Sequence, residues 1–446
     1  METSEPILTP QASSREIRDY ALTSRWTALH PHPVQKALWR EPVRFKVVPA
    51  GRRSGKTELA KRRLVKALAE PKDWAKPRYA ACAPTRDQAK RIYWADFKLL
   101  VPSNWIDRIV ETELSIRTKW GAELQVLGMD KPERIEGSPW DGVVLDEYAN
   151  MKPIAWSAHT RPALSDRQGW AWMIGVPEGR NHYYDLYNFA CDPANADWQG
   201  YTWFSSDILP PAEIEAAKRE LDPATYRQEY EAAFVAFQGL VYYPFNRSDH
   251  VRPFSYDATE SLMLCLDFNV SPGVAAILQE KNNITGVIDE ICIPRHSNTP
   301  TVINEFIARY RNHKGPVRLY GDATGGARGT AQVAGTDWEI ASDLLRSPFS
   351  GRVSKRVPKS NPAERARINA VNSRLKSAAG EIRLIVDPKC TFVIKDFEGV
   401  RVLEGTSGEI DKKSDPTLTH LTDAIGYAIE YEHPVSGGGK ARMVKV

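Results

Sequence analysis

The segment that most constrains the fold is Ala50-Gly51-Arg52-Arg53-Ser54-Gly55-Lys56-Thr57, which lies between a strand pattern and a helix pattern. The apolar run at 45–48 predicts the strand, and 56–68 predicts the helix. A glycine-containing turn at this junction points backbone N–H groups and the positive end of the helix dipole at an anion. We therefore predict a phosphate-binding loop made of Arg52, Arg53, Ser54, Gly55, Lys56 and Thr57. Ala50 stands where that motif usually begins with glycine.

Within this loop, Lys56 is expected to reach the β- and γ-phosphates of ATP, and the Thr57 hydroxyl to ligate Mg²⁺. A second motif supports the same site, because the apolar strand pattern at 142–145 ends in Asp146 and Glu147. We expect Asp146 to hold the Mg²⁺ ion through water and Glu147 to activate the attacking water. The two motifs together predict an ATPase, although an acidic pair also ends many ordinary strands.

Two further residues are candidates for the edge of the nucleotide site. Gln35, before the first strand, could read the adenine edge, and it equally suits a surface turn entering a helix. Arg134, upstream of the acidic strand, could act as an arginine finger on a neighbouring subunit, or form a surface salt bridge. The loop at 175–179 ends a later strand pattern, where it could sense the γ-phosphate.

The first half of the chain alternates strand and helix patterns, with further strands at 79–83, 142–145 and 170–176 and a helix at 85–100. This alternation predicts an α/β fold with a mostly parallel sheet. Residues 207–236 have a helical pattern, with a second helix opening at Pro223, and the aromatic run 241–245 has a strand pattern. The predicted domains are a flexible arm (1–30), an ATPase domain (31–236, with a helical subdomain from about 206), a linker (237–258), a second domain (259–433) and a flexible basic tail (434–446).

The second domain carries three separated carboxylates, Asp267, Asp322 and Asp423. Asp267 and Asp322 end the strand patterns 262–266 and 317–320, while Asp423 lies in a helix pattern. Carboxylates brought together repel one another unless cations intervene, and two Mg²⁺ or Mn²⁺ ions would then clamp the oxygens of a phosphodiester. Asp289, Glu290 and Asp415 are alternative ligands, and each acid alone could be a cap or turn residue. The nine histidines show no zinc-binding spacing.

A basic stretch lies between the last two carboxylates. Residues 352–376 hold eight basic side chains and one acidic side chain, a local net charge of +7. A solvated helix face is one interpretation, and a surface that contacts DNA phosphates regardless of sequence is the other. For the second interpretation, the candidate DNA contacts are Arg352, Lys355, Arg356, Lys359, Arg365 and Arg367.

The composition argues against several other classes of protein. The 446 residues carry a net charge of only +4, which argues against a histone-like nucleic-acid binder. The five cysteines lack CxxC spacing, so neither a disulfide framework nor a zinc ribbon is expected. No apolar run approaches the roughly 18 residues of a membrane helix, and the polar start is unlike a signal peptide.

Four motifs, AGRRSGKT, GVVLDE, the pair CLDF and YGDATG, and HLTDAIGYA, together resemble the large terminase subunit of tailed bacteriophages. They span about residues 31–431. The resemblance implies a P-loop ATPase of the additional-strand type joined to an RNase H-like nuclease domain with a mixed sheet. It implies ATP and Mg²⁺ at Lys56, Thr57, Asp146 and Glu147, nuclease metals at Asp267, Asp322 and Asp423, and a trans-acting Arg134.

The resemblance further implies a motor that cuts concatemeric viral DNA and pumps double-stranded DNA into a procapsid. Its expected partners are the portal protein and the small terminase subunit, with a pentamer on the portal and a monomer allowed for the free chain. The expected location is the cytoplasm of the infected host, not the mature virion. The alternatives are a cellular helicase- or repair-type ATPase–nuclease, and an interaction ATPase with a decayed nuclease fold.

Overall fold

The computed structural model describes residues 32–235, 239–268, 272–294, 297–323, 336–403, 408–415 and 418–435. These residues form two compact units. The N-terminal unit runs to Ile214 and includes Arg227–Val235, and the C-terminal unit comprises Glu215–Tyr226 and the described residues after 236. The predicted arm at 1–30 and residues 436–446 of the predicted basic tail lie outside the described residues. The predicted domain limits at 236 and 258 stay a prediction.

The N-terminal unit is built on an eight-stranded sheet with the order β3-β4-β5-β2-β6-β7-β1-β8. Among the described strand pairs of this sheet, β3–β4 and β4–β5 are antiparallel and the others are parallel. The strands are β1 Phe45–Pro49, β2 Arg78–Ala83, β3 Ile106–Val110, β4 Ser115–Thr118, β5 Glu123–Gly128, β6 Gly142–Asp146, β7 Trp170–Gly175 and β8 Trp198–Gly200. The predicted mostly parallel α/β fold is therefore confirmed, and β7 is the additional strand between β1 and β6.

Helices cover this sheet. They are α1 Pro33–Arg40, α2 Lys56–Leu68, α3 Arg86–Ala89, α4 Ala95–Leu100, α5 Arg161–Ala163 and α6 His182–Cys191, with π-helical turns at Lys90–Trp94 and Ala155–Thr160. Short 3₁₀ turns occupy Ser103–Trp105, Pro132–Ile135, Tyr148–Asn150 and Ser205–Asp207. The helix predicted over 85–100 is thus α3, a π-helical turn and α4 in succession. Helices α7 Pro211–Glu220 and α8 Pro223–Tyr230 replace the predicted helical stretch 207–236, and each contributes residues to both units.

Side-chain alternation explains why the sheet is covered on both faces. Val48 and Val144 belong to one apolar cluster, while their neighbours Val47 and Val143 belong to another. Successive side chains of a strand point to opposite faces, so each central strand contributes to two cores. All five residues of β1 are buried, which fixes the strand that leads into the phosphate-binding loop.

The C-terminal unit is built on a six-stranded mixed sheet with the order β13-β12-β9-β10-β11-β14. Its strands are β9 Leu262–Asp267, β10 Gly273–Lys281, β11 Ile284–Ile293, β12 Val317–Gly321, β13 Val353–Lys355 and β14 Leu384–Val386. Strand β10 pairs antiparallel with both β9 and β11, and β12 runs parallel to β9. Its helices are α9 Arg247–His250, α10 Thr299–Tyr310, α11 Asp337–Arg346, α12 Glu364–Leu375, α13 Thr391–Gly399 and α14 His420–Glu432. The expected mixed sheet and the helix that carries Asp423 are confirmed.

The strand predicted at 241–245 is wrong, because these residues form turns. Two of their three aromatic side chains, Tyr242 and Phe245, are buried by packing rather than by sheet pairing, while Tyr243 is exposed. Tyr242 and Phe245 both lie against Phe397 of α13, with ring centroids 5.1 and 5.0 Å from it. Among the described helices, none combines the length and apolarity needed to cross a membrane.

Candidate nucleotide and nuclease sites

The loop between β1 and α2 has the backbone conformation of an anion cradle. Gly55 precedes α2 with φ +81°, and Arg53 also has a positive φ of 57°. Gly51 allows close packing beneath the loop, since a Cβ there would lie 2.6 Å from the Ser205 backbone nitrogen. The loop therefore brings its N–H groups and the start of a 13-residue helix to one place, as bound phosphate requires.

The loop threonine touches the acidic strand end. The Thr57 hydroxyl donates to Asp146 Oδ2 over 3.0 Å, although β7 separates β1 from β6. Tyr93 donates its phenolic proton to the same oxygen over 2.8 Å, and the Glu147 N–H donates to Oδ1 over 2.9 Å. A hydroxyl and a carboxylate side by side are oxygen ligands of the kind that Mg²⁺ prefers, so these residues fit the implied metal.

Burial sets the electrostatics of this site. It raises the pKa of Asp146, and burial together with the Asp146 charge raises the pKa of Glu147. Burial also lowers the pKa of Lys56, whose Nζ lies 3.3 Å from the Gly51 carbonyl oxygen. Two carboxylates and one amine are thus held out of water at one sheet edge. Such an arrangement favours ligands that bring both negative phosphates and a cation.

Glu147 adopts an unusual backbone conformation, with φ 53° and ψ 44° in the left-handed region. A non-glycine residue costs free energy there, and such residues cluster at functional sites. The strand ends at Asp146, so the left-handed turn at Glu147 changes the direction of the chain at this point.

Gln35 lies against the phosphate-binding loop. Its side-chain amide donates to the Ser54 carbonyl oxygen over 3.0 Å, and the Trp203 indole donates to the same oxygen over 2.9 Å. Both contacts fix the Ser54 carbonyl of the loop. The structure thus places Gln35 beside the candidate nucleotide site, and its role toward adenine stays a prediction.

One turn of α8 contacts two loops of the candidate site. The Arg52 guanidinium pairs with Glu229, its Nε 2.5 Å from Oε2, and the Arg52 N–H donates to the Glu229 carbonyl oxygen. The adjacent Gln228 accepts a hydrogen bond of 3.1 Å from the N–H of Gly179, in the loop after β7. Burial alone would lower the pKa of Arg52, but the contacts with Glu229 reverse this and raise it.

Arg134 is exposed in the 3₁₀ turn Pro132–Ile135, which follows the carboxyl end of β5. Because β5 runs parallel to β2 and β6, this turn lies at the sheet edge from which the phosphate-binding loop also emerges. An exposed arginine at that edge suits a role toward a neighbouring subunit, which stays a prediction.

In the C-terminal unit, Asp267 and Asp322 lie side by side. Residue 321 pairs with residue 266 across parallel strands, so the two aspartates follow at neighbouring strand ends. His420 Nδ1 lies 3.0 Å from Asp267 Oδ2. The Asn361 amide donates to Asp322 Oδ1 over 2.8 Å, and the Tyr427 hydroxyl donates to Oδ2 over 3.2 Å.

Asp423 faces the same region but carries cationic partners. Arg367 Nη1 donates to its Oδ1 and Lys412 Nζ to its Oδ2, each over 2.8 Å. Burial raises the pKa of the Tyr427 phenol, Arg367 opposes that shift, and the charges of all three aspartates add to it. The charges of Asp267, Asp322 and Asp423 thus all act on the same phenol.

The three aspartates are near one another, but their carboxylates do not surround a single position. In the described part of the chain, no three His, Cys, Asp or Glu side chains are close enough to hold one ion. Carboxylate oxygens are nevertheless the right ligands for Mg²⁺ or Mn²⁺, and the Asp267–Asp322 pair supplies two carboxylates. The three-ligand metal set therefore stays a prediction.

The alternative ligands have other partners in the structure. Glu290 accepts the backbone N–H groups of Phe392 and Val393 and so caps α13. Asp289 is held by Arg309 and the Tyr310 hydroxyl. Asp415 is half-buried at the end of the described segment 408–415.

The basic stretch at 352–376 separates into exposed and internal side chains. Lys355, Arg356 and Lys359 are exposed, and Arg365 is half-buried. Arg352 instead donates to three backbone carbonyl oxygens, those of His313, Gly315 and Phe349. Arg367 is buried against Asp423, so the charge available to a phosphate backbone is smaller than the sequence sum.

Comparison with known proteins gives this geometry a family context. No protein-family model matches the chain. The large terminase subunit of Thermus phage G20c is 28% identical over 248 residues, which are 48% of this chain and 50% of that protein. The large terminase subunit of Escherichia phage T5 is 26% identical over 215 residues, 47% of this chain and 48% of that protein. The chain thus spans about half the length of the curated relatives it matches.

The fold comparison covers more of the chain. A crystal structure of the large terminase from a thermophilic bacteriophage has a TM-score of 0.60 at 16% identity, covering 90% of this chain and 99% of that one. The chain is therefore similar in sequence and in fold to phage large terminases. A structure of the same bacteriophage terminase in complex with ATP-γ-S has a TM-score of 0.57 at 16% identity and covers 93% of this chain and 98% of that one.

Several residues of the two candidate sites were not predicted from the sequence. Tyr93 reaches Asp146 from the π-helical turn Lys90–Trp94, and such turns often occur at functional sites, but no residue spacing indicated it. Glu229 lies 177 positions from Arg52, so only folding joins them. His420 was visible within the HLTDAIGYA motif, three residues before Asp423, and its position was the available signal.

Proposed function

We propose that this chain is a DNA-packaging ATPase–nuclease of a tailed bacteriophage. In this proposal the N-terminal unit hydrolyses ATP to translocate double-stranded DNA into a procapsid, and the C-terminal unit cuts concatemeric DNA. The observation that carries the ATPase assignment is the contact of Thr57 with Asp146, beside Glu147 and Lys56. A loop hydroxyl, two carboxylates and a buried amine are the parts that phosphoryl transfer requires.

Each residue has a distinct role in the proposed hydrolysis. Lys56 and the loop N–H groups bind and orient the phosphates, while Glu147 accepts the proton of the attacking water. Thr57 and Asp146 would hold Mg²⁺, which would supply charge neutralisation for the transferred phosphoryl group. Tyr93 orients Asp146 through its hydrogen bond.

The nuclease assignment rests on Asp267 and Asp322 at neighbouring strand ends. Two divalent ions held by these residues and Asp423 would supply a clamp for the attacking and leaving oxygens of a phosphodiester. His420 and Asn361 position the first two carboxylates. A basic surface would contact the DNA backbone, so cutting should be independent of sequence and weaken with salt. Its proposed members are Lys355, Arg356, Lys359 and Arg365.

The proposed partners follow from the same assignment. They are the portal protein, the small terminase subunit and, on the portal, four further copies of this chain in a pentamer. In that ring, Arg134 would act on the nucleotide of a neighbouring subunit. The proposed place of action is the cytoplasm of the infected host.

The ATPase proposal is tested by Lys56→Ala in the full chain. Loss of a positioned cation at the phosphates should reduce phosphate release by about 100-fold or more. Lys66→Ala is the matched control, because Lys66 lies on the same helix and pairs with Glu70 away from the loop. If Lys56→Ala hydrolyses ATP at the wild-type rate, the N-terminal site is assigned wrongly.

The nuclease proposal is tested by Asp322→Asn, which keeps the side-chain shape and removes the charge. We expect loss of Mn²⁺-dependent plasmid cutting, while Asp343→Asn, at an exposed i,i+3 ion pair, should cut normally. Cutting should persist in Lys56→Ala, because the two activities belong to separate sites. Normal cutting by Asp322→Asn would contradict the assignment.

The Arg134 role is tested by mixing two inactive variants. Arg134→Ala retains an intact phosphate site, and Lys56→Ala retains an intact finger. Mixing them at a concentration where the chain assembles should restore part of the hydrolysis if Arg134 acts in trans. No recovery in mixed assemblies would contradict that role.

A further inference from the structure

Both carboxylate oxygens of Asp423 are engaged by cationic side chains. Arg367 holds Oδ1 and Lys412 holds Oδ2, each at 2.8 Å. In the proposed nuclease, this carboxylate would bind a divalent ion. An ammonium on Oδ2 and a metal ion on the same oxygen compete, because both draw on its lone pairs and their positive charges repel each other.

The two cations differ in how firmly they are placed. The Arg367 side chain is only 9% exposed, and its guanidinium lies 4.3 Å over the Tyr427 ring. The Lys412 side chain is 47% exposed and projects from the short described segment 408–415. Lys412 can therefore leave Asp423 and regain water, whereas Arg367 would have to abandon a buried stacking contact.

A second carboxylate is ready to receive the Lys412 ammonium. Lys412 Nζ already lies 3.6 Å from Glu364 Oε2. Glu364 is fixed beside the lysine segment, because its Oε1 accepts the Ile410 N–H over 3.1 Å. A small side-chain movement therefore exchanges the Asp423 contact for one with Glu364, without leaving the ammonium unpaired.

We propose that Lys412 competes with a divalent ion for Asp423 and yields this carboxylate to the ion by moving to Glu364. The inference rests on the proposed nuclease function and deepens it. Lys412 lowers the metal affinity of the site, because an incoming ion must displace an ammonium that Asp423 already holds. Arg367 stays in place and orients the carboxylate. Lys412 is accordingly a positioning residue that tunes metal binding.

The test measures Mn²⁺ affinity directly in the nucleotide-free full chain, by titration calorimetry and by the electron paramagnetic resonance signal of free Mn²⁺. The relevant binding is the part that Asp322→Asn abolishes. Lys412→Met should bind Mn²⁺ about tenfold more tightly, since a competing charge at Asp423 is removed. Glu364→Gln should bind it more weakly, because the displaced ammonium loses its alternative partner. Lys413→Met, at the neighbouring exposed lysine, is the matched control and should leave the affinity unchanged.

The possible results distinguish a failure of the Lys412 proposal from a failure of the proposed nuclease function. Asp322-dependent binding that is equal in wild type and Lys412→Met, or weaker in Lys412→Met, overturns the role of Lys412 alone. An absence of any Asp322-dependent Mn²⁺ binding in wild type overturns the proposed nuclease site instead. A Glu364→Gln variant that binds Mn²⁺ as tightly as wild type, or more tightly, would show that Glu364 does not receive the ammonium.

Discussion

Lys46 is a buried lysine on the strand that leads into the phosphate-binding loop. The residue is 3% exposed, and its Nζ donates to the carbonyl oxygens of Leu38 and Glu41 at the end of α1, over 2.5 and 2.6 Å. Burial lowers its pKa from 10.5 to about 8. The folded state therefore disfavours the charged amine relative to the unfolded chain.

This pKa gives a magnitude and a sign for the dependence of stability on pH. Each tenfold difference in proton affinity is about 1.4 kcal/mol, so a fall from 10.5 to about 8 corresponds to about 3.4 kcal/mol. Well below pH 8 the amine is charged in both states and the full cost is present. As pH rises towards 10.5 the cost disappears, because the unfolded chain then releases its proton as well. Between pH 7 and pH 10 the gain in stability should be about 2.5 kcal/mol.

The assay is urea unfolding of wild type and Lys46→Met at a series of pH values from 7 to 10. The difference between the two proteins isolates Lys46 from the tyrosines that titrate nearby in pH. Across this range the free energy of unfolding of wild type should rise by about 2.5 kcal/mol relative to that of Lys46→Met. Lys36→Met, at an exposed position of α1, is the control and should follow wild type at every pH. A wild-type-minus-variant difference that stays flat would refute the reasoning, since Lys46 would then keep an ordinary pKa.

Three other variants test close packing and buried charge. Gly51→Ala should destabilise the N-terminal unit by about 2 kcal/mol and weaken binding of a fluorescent ATP analogue, because its Cβ would lie 2.6 Å from the Ser205 nitrogen. Arg167→Met leaves the buried Asp141 carboxylate without its ion partner at 2.8 Å, so the thermal unfolding midpoint should fall, reflecting about 3 kcal/mol. Burial raises the pKa of Asp396 to about 7, so its ionisation costs stability as pH rises from 4 to 7. Asp396→Asn should remove that loss, visible as a flatter midpoint-versus-pH curve, and an unchanged curve would contradict it.

The sequence predicted those parts of the structure that depend on local pattern. The strand and glycine turn around Lys56 follow from an apolar run and a loop motif, and both were found where expected. The β3–β5 hairpin region was missed, because Arg108 and Arg117 interrupt its apolar alternation at an exposed sheet edge. The site partners were missed for another reason, since contacts such as Arg52–Glu229 exist only after distant segments fold together.

The charge sum over 352–376 illustrates the same limit. A run of basic residues does not reveal which side chains face solvent. Folding turned Arg367 inward to Asp423 and Arg374 inward to Thr285 and Asn283, while Lys355 and Lys359 stayed outside. Helix periodicity could have placed Arg367 and Arg374 together, because α12 puts 367, 371 and 374 on one face, whereas Lys355 and Lys359 precede this helix.

Because the backbone at Glu147 is left-handed, stability and the proposed hydrolysis favour different residues at this position. A glutamate there bears about 1 kcal/mol of backbone strain and lies beside the buried charge of Asp146. Asparagine tolerates this conformation better and is uncharged, so Glu147→Asn should fold more stably while losing the group that we propose accepts the water proton. A library selected only for heat resistance should therefore drift away from glutamate at this position. A library selected for hydrolysis alone should keep glutamate. The difference in heat resistance between the two selected libraries would then measure how much thermal tolerance the chemistry costs.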